Sequence, residues 1–378
     1  MKKLFILFLF FVACGNQHSF QHNKGTAGEW KSFRGDPQLS GIAHAVLPDN
    51  PALRWSFETG NDITATPVIS DSIVIIGSTD GFLYALNLGD GALQWRFQAA
   101  DDIEAPALIN DTTVYAADLD GNIYALGLHS GNLIWDRKTD DQIFGAPNIF
   151  KNIAGKYRIL IGSYDSKLYC LDAETGAIVW TYETDNFING SPATDGKVAI
   201  VGGCDEHLHV VDVASGKKVR TVDAGSYIAA SPALVDGHAY FGHYDNKLIC
   251  IDIETGEIKW EYTAESGGAP FFSSPAVTDD KVIIGSRDDR VHCVDRKTGK
   301  GIWTFRTLDQ VDSSPVVAGD KVVVGSMDGR VYMLSLKDGS QLWSYEIGSD
   351  IPGSPAVVNN MMLIGAEDGR IYAFGDTL

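Results

Sequence analysis

No two cysteines stand side by side in this sequence and none are spaced C-x-x-C, so neither a redox pair nor a zinc site is indicated. Basic residues are scarce: 30 Lys and Arg face 49 Asp and Glu, a formal net charge of −19 at pH 7. A surface of that sign repels nucleic acid and anionic lipid headgroups. No apolar run is long enough to cross a bilayer as a helix, which needs about 20 residues. The longest, Leu4–Ala13, follows Lys2 and Lys3 and reads as the core of a signal peptide over residues 1–13. Signatures of catalysis are missing too. There is no G-x-S-x-G elbow, no phosphate-cradling glycine loop and no D-x-D-x-D-G calcium loop with a distal Glu.

What the chain does have is repetition. Its composition is that of a packed protein, 44% hydrophobic and 21% charged, and its 40 glycines promise many turns. The stretch STDGFLYALNLGDGALQW (78–95) returns as SMDGRVYMLSLKDGSQLW (326–343). At a period near forty residues, Pro recurs at Pro67, Pro106, Pro147, Pro192, Pro232, Pro275, Pro315 and Pro355. Asp recurs at Asp80, Asp120, Asp165, Asp205, Asp245, Asp288, Asp328 and Asp368. A Trp slot holds Trp55, Trp95, Trp135, Trp180, Trp260, Trp303 and Trp343, with Val219 read as its one replacement and a looser blade junction expected there. Such a period marks a propeller or a solenoid.

Each unit reads as four short strands. A Pro opens the first, where a missing ladder donor is tolerated. An Asp-Gly-type hairpin joins the second to the third, and a Gly after Asp, Ser or Thr precedes the fourth. The last unit stops at RIYAFGDTL without a fourth strand, while ALRWSFET near the start has one without the preceding turn. Strand 53–58 is therefore expected to complete the last blade. The predicted fold is all-β: a monomeric eight-bladed β-propeller over residues 30–378, its four-stranded antiparallel blades closed into a ring by an N-terminal strand. Cys170, Cys250 and Cys293 share one repeat slot and read as small core residues.

The segments DAETGAIVW (172–180), DIETGEIKW (252–260) and DRKTGKGIW (295–303) resemble the tryptophan docking motif of the PQQ-repeat propeller family, and WKSFRGDPQLSG (30–41) is similar to the stretch that often precedes a first blade there. Phe-Val-Ala-Cys (11–14) resembles a bacterial lipobox, which implies lipidation of Cys14 and a flexible tether over residues 14–29. With the anchor and no second domain, the chain is most similar to the branch of outer-membrane assembly lipoproteins. That implies a non-catalytic scaffold in the bacterial cell envelope, lipid-anchored to the outer membrane and facing the periplasm or the cell surface. Its implied partners are envelope proteins, including components of outer-membrane β-barrel assembly, with no cofactor and with the membrane met only through the lipid. Quinoprotein dehydrogenases of the same family carry an adjacent Cys pair and long insertions between blades. Here no repeat exceeds 45 residues. A PQQ-dependent dehydrogenase and a glycan- or small-molecule-binding propeller are the alternatives.

Candidate binding residues are those that break the repeat on the end face shared by the entry loops and the Asp hairpins, since function concentrates on loops. They are Phe144, Phe187, Tyr227 and Phe272 in the entry loops, and Tyr164, Tyr244, Arg287, Met327 and Glu367 in the hairpins; Phe271, in the bulky apolar slot four residues before the repeat Pro, is counted with them on the face. Aromatic, Arg and Met residues on one face suit a protein-binding patch. His207 and His209 could share one strand face as metal ligands, but His209 and His292 stand in a Tyr slot and read as packing residues.

Overall fold

The computed structural model describes residues 28–264, 267 and 269–376. The signal peptide, Cys14 and nearly all of the tether lie outside the described residues. Eight sheets follow one another as blades 1 to 8, at residues 68–98, 108–138, 148–183, 193–223, 233–263, 276–306, 316–346 and 356–375. Within each blade the strands run as an antiparallel meander from the axis outward. Blade 8 takes its fourth strand from Ala52–Glu58, which pairs with Arg370–Gly375 and closes the ring. Blade 7 departs from the four-stranded pattern, because the short strand Ile42–Ala43 adds to it in parallel.

The burial pattern explains the composition of the strands. Second and third strands are covered on both faces by neighbouring blades and are nearly continuous Val, Ile and Leu, as in Ile73–Gly77. Fourth strands alternate, as in Leu93–Gln98, because their outer edge meets water. Cys170, Cys250 and Cys293 are buried, and burial pushes their thiols up to about 12, 11 and 12, so they are inert packing groups.

Blades interlock through two devices. In the first, a docking Trp donates its indole N–H to a carbonyl in the turn of the next blade, as Trp55 to Leu88 at 2.9 Å and Trp95 to Leu128 at 2.8 Å. Its ring lies so close to the turn glycine that a Cβ at Gly91 would come within 2.6 Å of Trp55. Trp55, Trp260 and Trp303 are buried, whereas Trp95, Trp135, Trp180 and Trp343 are half-buried. In the second, a glycine ending the second strand admits the bulky residue of the next entry loop. A Cβ at Gly365 would sit 2.2 Å from Ile63.

The slot assigned to Val219 is corrected by the register. Val210 pairs with Arg220 as Cys170 pairs with Trp180, so Arg220 stands in the Trp position and Val219 is exposed beside it. Arg220 lies against Gly256 and donates to the Glu254 carbonyl at 2.6 Å, leaving its buried Nε without a partner. Replacing Arg220 with Trp should raise unfolding stability by about 1 kcal/mol, since an apolar ring would fill the cleft and end the orphaned donor. Denaturant titration of the variant checks this.

The segment Trp30–Gly41 is the main element without a counterpart in the repeat. First strands present unpaired backbone groups to the axis, which need partners when buried. This segment crosses the axis and supplies them. Trp30 exchanges two bonds with Ile69 of blade 1, and Lys31 accepts from Ile109 of blade 2. Pro37 accepts from the Asn148 side chain of blade 3 and from Thr194 of blade 4. Gln38, Ser40 and Gly41 accept from Leu234, Val277 and Val317 of blades 5, 6 and 7. Arg34, fully buried, donates to the carbonyls of Ser314, Pro275 and Pro315 at 3.1, 3.0 and 2.6 Å. Burial lowers its guanidinium to about 9, still charged at neutral pH.

This plug also orients the molecule. Gly28 lies beside Asn359, in the turn between the first and second strands of blade 8. The chain thus enters the ring from the end opposite the entry loops and Asp hairpins.

Candidate functional site

The Asp hairpins carry the candidate face, and the residues that build them are held rigidly. In blades 1, 3, 4, 7 and 8 the hairpin Asp caps the turn by accepting an amide two residues on, as Asp80 does from Phe82. A Tyr four residues along the third strand donates to the same carboxylate, as in Tyr84 to Asp80 and Tyr332 to Asp328, both at 2.6 Å. Blade 2 is an exception: Tyr124 reaches Asp118 at 2.7 Å, and Asp120 turns outward to Lys138. In blades 4 and 6 the Tyr is replaced by His209 and His292. Each bridges its hairpin Asp (Asp205, Asp288) and a Tyr hydroxyl on the fourth strand of the preceding blade (Tyr182, Tyr262). Both rings are buried with both nitrogens occupied, so these histidines are packing groups. Among the described residues no set of three His, Cys, Asp or Glu is placed to hold a metal ion.

On this scaffold the candidate aromatics form an arc. The Phe144 and Tyr164 ring centroids lie 4.7 Å apart, and Tyr164 stacks on Phe187 at 4.9 Å with planes 6° apart. Farther round, Tyr227 meets Tyr244 edge-on at 6.2 Å and Tyr244 meets Phe272 at 6.0 Å. Arg287 lays its guanidinium 3.8 Å over Phe272 and makes two bonds to Asp312, which raise its pKa above the ordinary value. Phe187, Tyr227 and Tyr244 keep 43, 45 and 41% of their surface exposed, unusual for rings with no structural burden.

Three candidates fall outside the arc. Phe271 is a correction: it is fully buried, packs on Tyr262 and His292, and fills the interlocking slot opposite Gly242, so it has no surface to offer a partner. Met327 is half-buried in the blade 7 hairpin, apart from the rings. Glu367 stands across the face, where burial and then Asp350 and Asp62 raise its carboxyl. Glu104, raised by burial and then by Asp102 and Glu367, joins it there.

Sequence reasoning missed the centre of the face. A cavity of about 260 Å³ opens at the axis, floored by Phe33 of the plug and walled by Phe144, Phe272 and Glu104. A chain of hydroxyls girdles it. The amides of Ala146, Ser191, Ser231, Ser274, Ser314 and Ser354 each donate to the hydroxyl one blade on, ending at Thr66, at 2.8–3.2 Å. The chain breaks at blades 2 and 3, where Ala105 and Ala146 fill the slot. Its signal was available, since every one of these residues immediately precedes a repeat Pro.

Comparison with known proteins agrees with this architecture. The family model described as outer membrane protein assembly factor BamB matches residues 39–155, 149–264 and 204–377. No curated protein matches the sequence. Among solved structures, BamB from Moraxella catarrhalis is similar at 22% identity and a TM-score of 0.73, covering 86% of this chain and 100% of its own. The quinohemoprotein alcohol dehydrogenase from Comamonas testosteroni is similar at 13% identity and a TM-score of 0.81, covering 95% and 82%. The computationally designed Ika8 protein is similar at 18% identity and a TM-score of 0.76, covering 86% and 99%. At these identities the structures share the fold, which also serves catalysis elsewhere. The family match spans nearly the whole propeller, and the chain belongs to the family described as outer membrane protein assembly factor BamB.

Proposed function

We propose that this protein is a non-catalytic, lipid-anchored scaffold that binds other envelope proteins in the assembly of outer-membrane β-barrels. The observation that carries the reading is the arc of partly exposed rings on the end face opposite the chain's point of entry. A tether through Cys14 at the far end leaves that face turned away from the membrane and open to partners. Rings packed on one another across entry loops and hairpins cost little entropy on docking, which is what interface hot spots require.

Pyrroloquinoline quinone, the cofactor of the fold's dehydrogenases, does not fit the axial cavity. It is a tricarboxylate, whereas the charged groups lining the cavity are Glu104 and Asp312. The nearby Arg287 is already committed to Asp312. The plug seals the floor beneath.

Affinity purification from crosslinked envelopes tests the reading. Barrel-assembly proteins should be recovered in stoichiometric amount. Recovery of none of them, or oxidation of an alcohol or sugar by the protein supplied with the quinone and Ca²⁺, would overturn it.

A further inference from the structure

The end of the ring from which the chain enters carries an unexplained feature. Seven of the eight turns between first and second strands are tight and polar, such as Asp71-Ser72, Asp111-Thr112 and Asp236-Gly237. Blade 3 instead carries Lys151-Asn152-Ile153-Ala154-Gly155-Lys156. Ile153 at its tip is fully exposed, at 105% of reference, more than any other large apolar residue described. The exposure is built in. Asn152 accepts the amides of Ala154 and Lys156 on its side chain, at 3.0 Å each, and its backbone pairs with Lys156 and Gly155. The loop is thus locked with its apolar tip outward and a lysine on each side.

A second apolar residue shares that end. Residues 44–51 run from the inner strand of blade 7 to the outer strand of blade 8, and Val46 within them is 68% exposed. Blade 3 and blade 7 are diametrically opposite in a ring of eight. The chain enters on this same end at Gly28, beside blade 8, with 27 residues before it that include Cys14.

We propose that residues 151–156 form a lipid-contacting knuckle that seats the ring upright on the membrane holding its own N-terminus, with Val46 as the opposing contact. The occupant is the lipid surface, because the tether delivers this end to a bilayer at high effective concentration, where a weak contact suffices. An Ile side chain flanked by Lys matches a headgroup boundary, the apolar tip entering and the ammonium groups remaining at the phosphates. Turns rich in Asp on the same end favour a zwitterionic over a strongly anionic surface. The inference rests on the anchored reading above.

The test uses the full lipidated protein in a Cys204→Ser background, carrying Ile153→Cys or, as the opposite-end control, Leu308→Cys. Leu308 is 74% exposed in the entry loop of blade 7. Each thiol is labelled with NBD, and the protein is bound to vesicles of phosphatidylethanolamine and phosphatidylcholine. The label at position 153 should shift its emission to the blue and be quenched by brominated lipid, while the label at 308 stays unchanged. Vesicle binding with both labels left in water would overturn the knuckle and leave the anchor intact. Failure to bind vesicles at all would overturn both, and equal shifts at both positions would show no preferred seat.

Discussion

Arg34→Ala should be the most damaging single substitution on the axis, lowering unfolding stability by about 3–5 kcal/mol. Three carbonyls, those of Ser314, Pro275 and Pro315, lose their donor at once, and all three bonds are buried. The loss extends beyond those bonds. Arg34 pins the middle of a segment whose residues before it hold blades 1 and 2 and whose residues after it hold blades 3 to 7, so its removal loosens the seam between them. Arg34→Lys keeps the charge but presents one compact donor group in place of a fork, and should recover only part of the deficit. Chemical denaturation of the two variants measures the difference. A change below about 1 kcal/mol for Arg34→Ala would mean that the plug is a passive filler rather than a lacing strand.

The second large effect concerns docking. Replacing Phe187, Tyr227 and Tyr244 together with Ala should weaken capture of barrel-assembly partners by about 100-fold or more, since each exposed ring at an interface centre is worth roughly 1–2 kcal/mol. The melting temperature should hardly move, because these rings are already two-fifths exposed. Phe271→Ala supplies the contrast. That side chain is fully buried between Tyr262 and His292, so its removal should cost about 3–5 kcal/mol of stability. If the triple variant binds as the parent does, the face is not the docking site.

Much of the architecture was legible because propeller repeats leave local marks. A hairpin needs Asp-Gly within four residues, a docking Trp needs a Gly turn nearby in the next unit, and a strand start tolerates Pro. Each constraint acts over few residues and recurs around the ring, the Pro and the hairpin Asp eight times and the Trp and the Gly turn seven times each. The Arg220 slot was misread for a related reason: Val219 is the apolar neighbour, and only the pairing of Val210 with Arg220 fixes which side chain points at Gly256. Phe271 and Phe272 are adjacent and chemically identical, yet one interlocks blades and the other carries Arg287 at the cavity wall. The repeat register separates them, since Phe271 stands four residues before Pro275 as Ile63 stands before Pro67.

By itself the sequence determined eight blades, their strand order and the closing role of strand 53–58, because a hydrophobic period of two and turn residues at fixed offsets admit few other solutions. Only the tertiary structure decided that Trp30–Gly41 plugs the axis and that rings from blades 3 to 6 gather into one arc. Those features join residues from one blade to the next or, for Arg34 and Pro315, across 281 positions. Contacts of that span are set by how the blades close around the axis, and nothing in the local pattern records them.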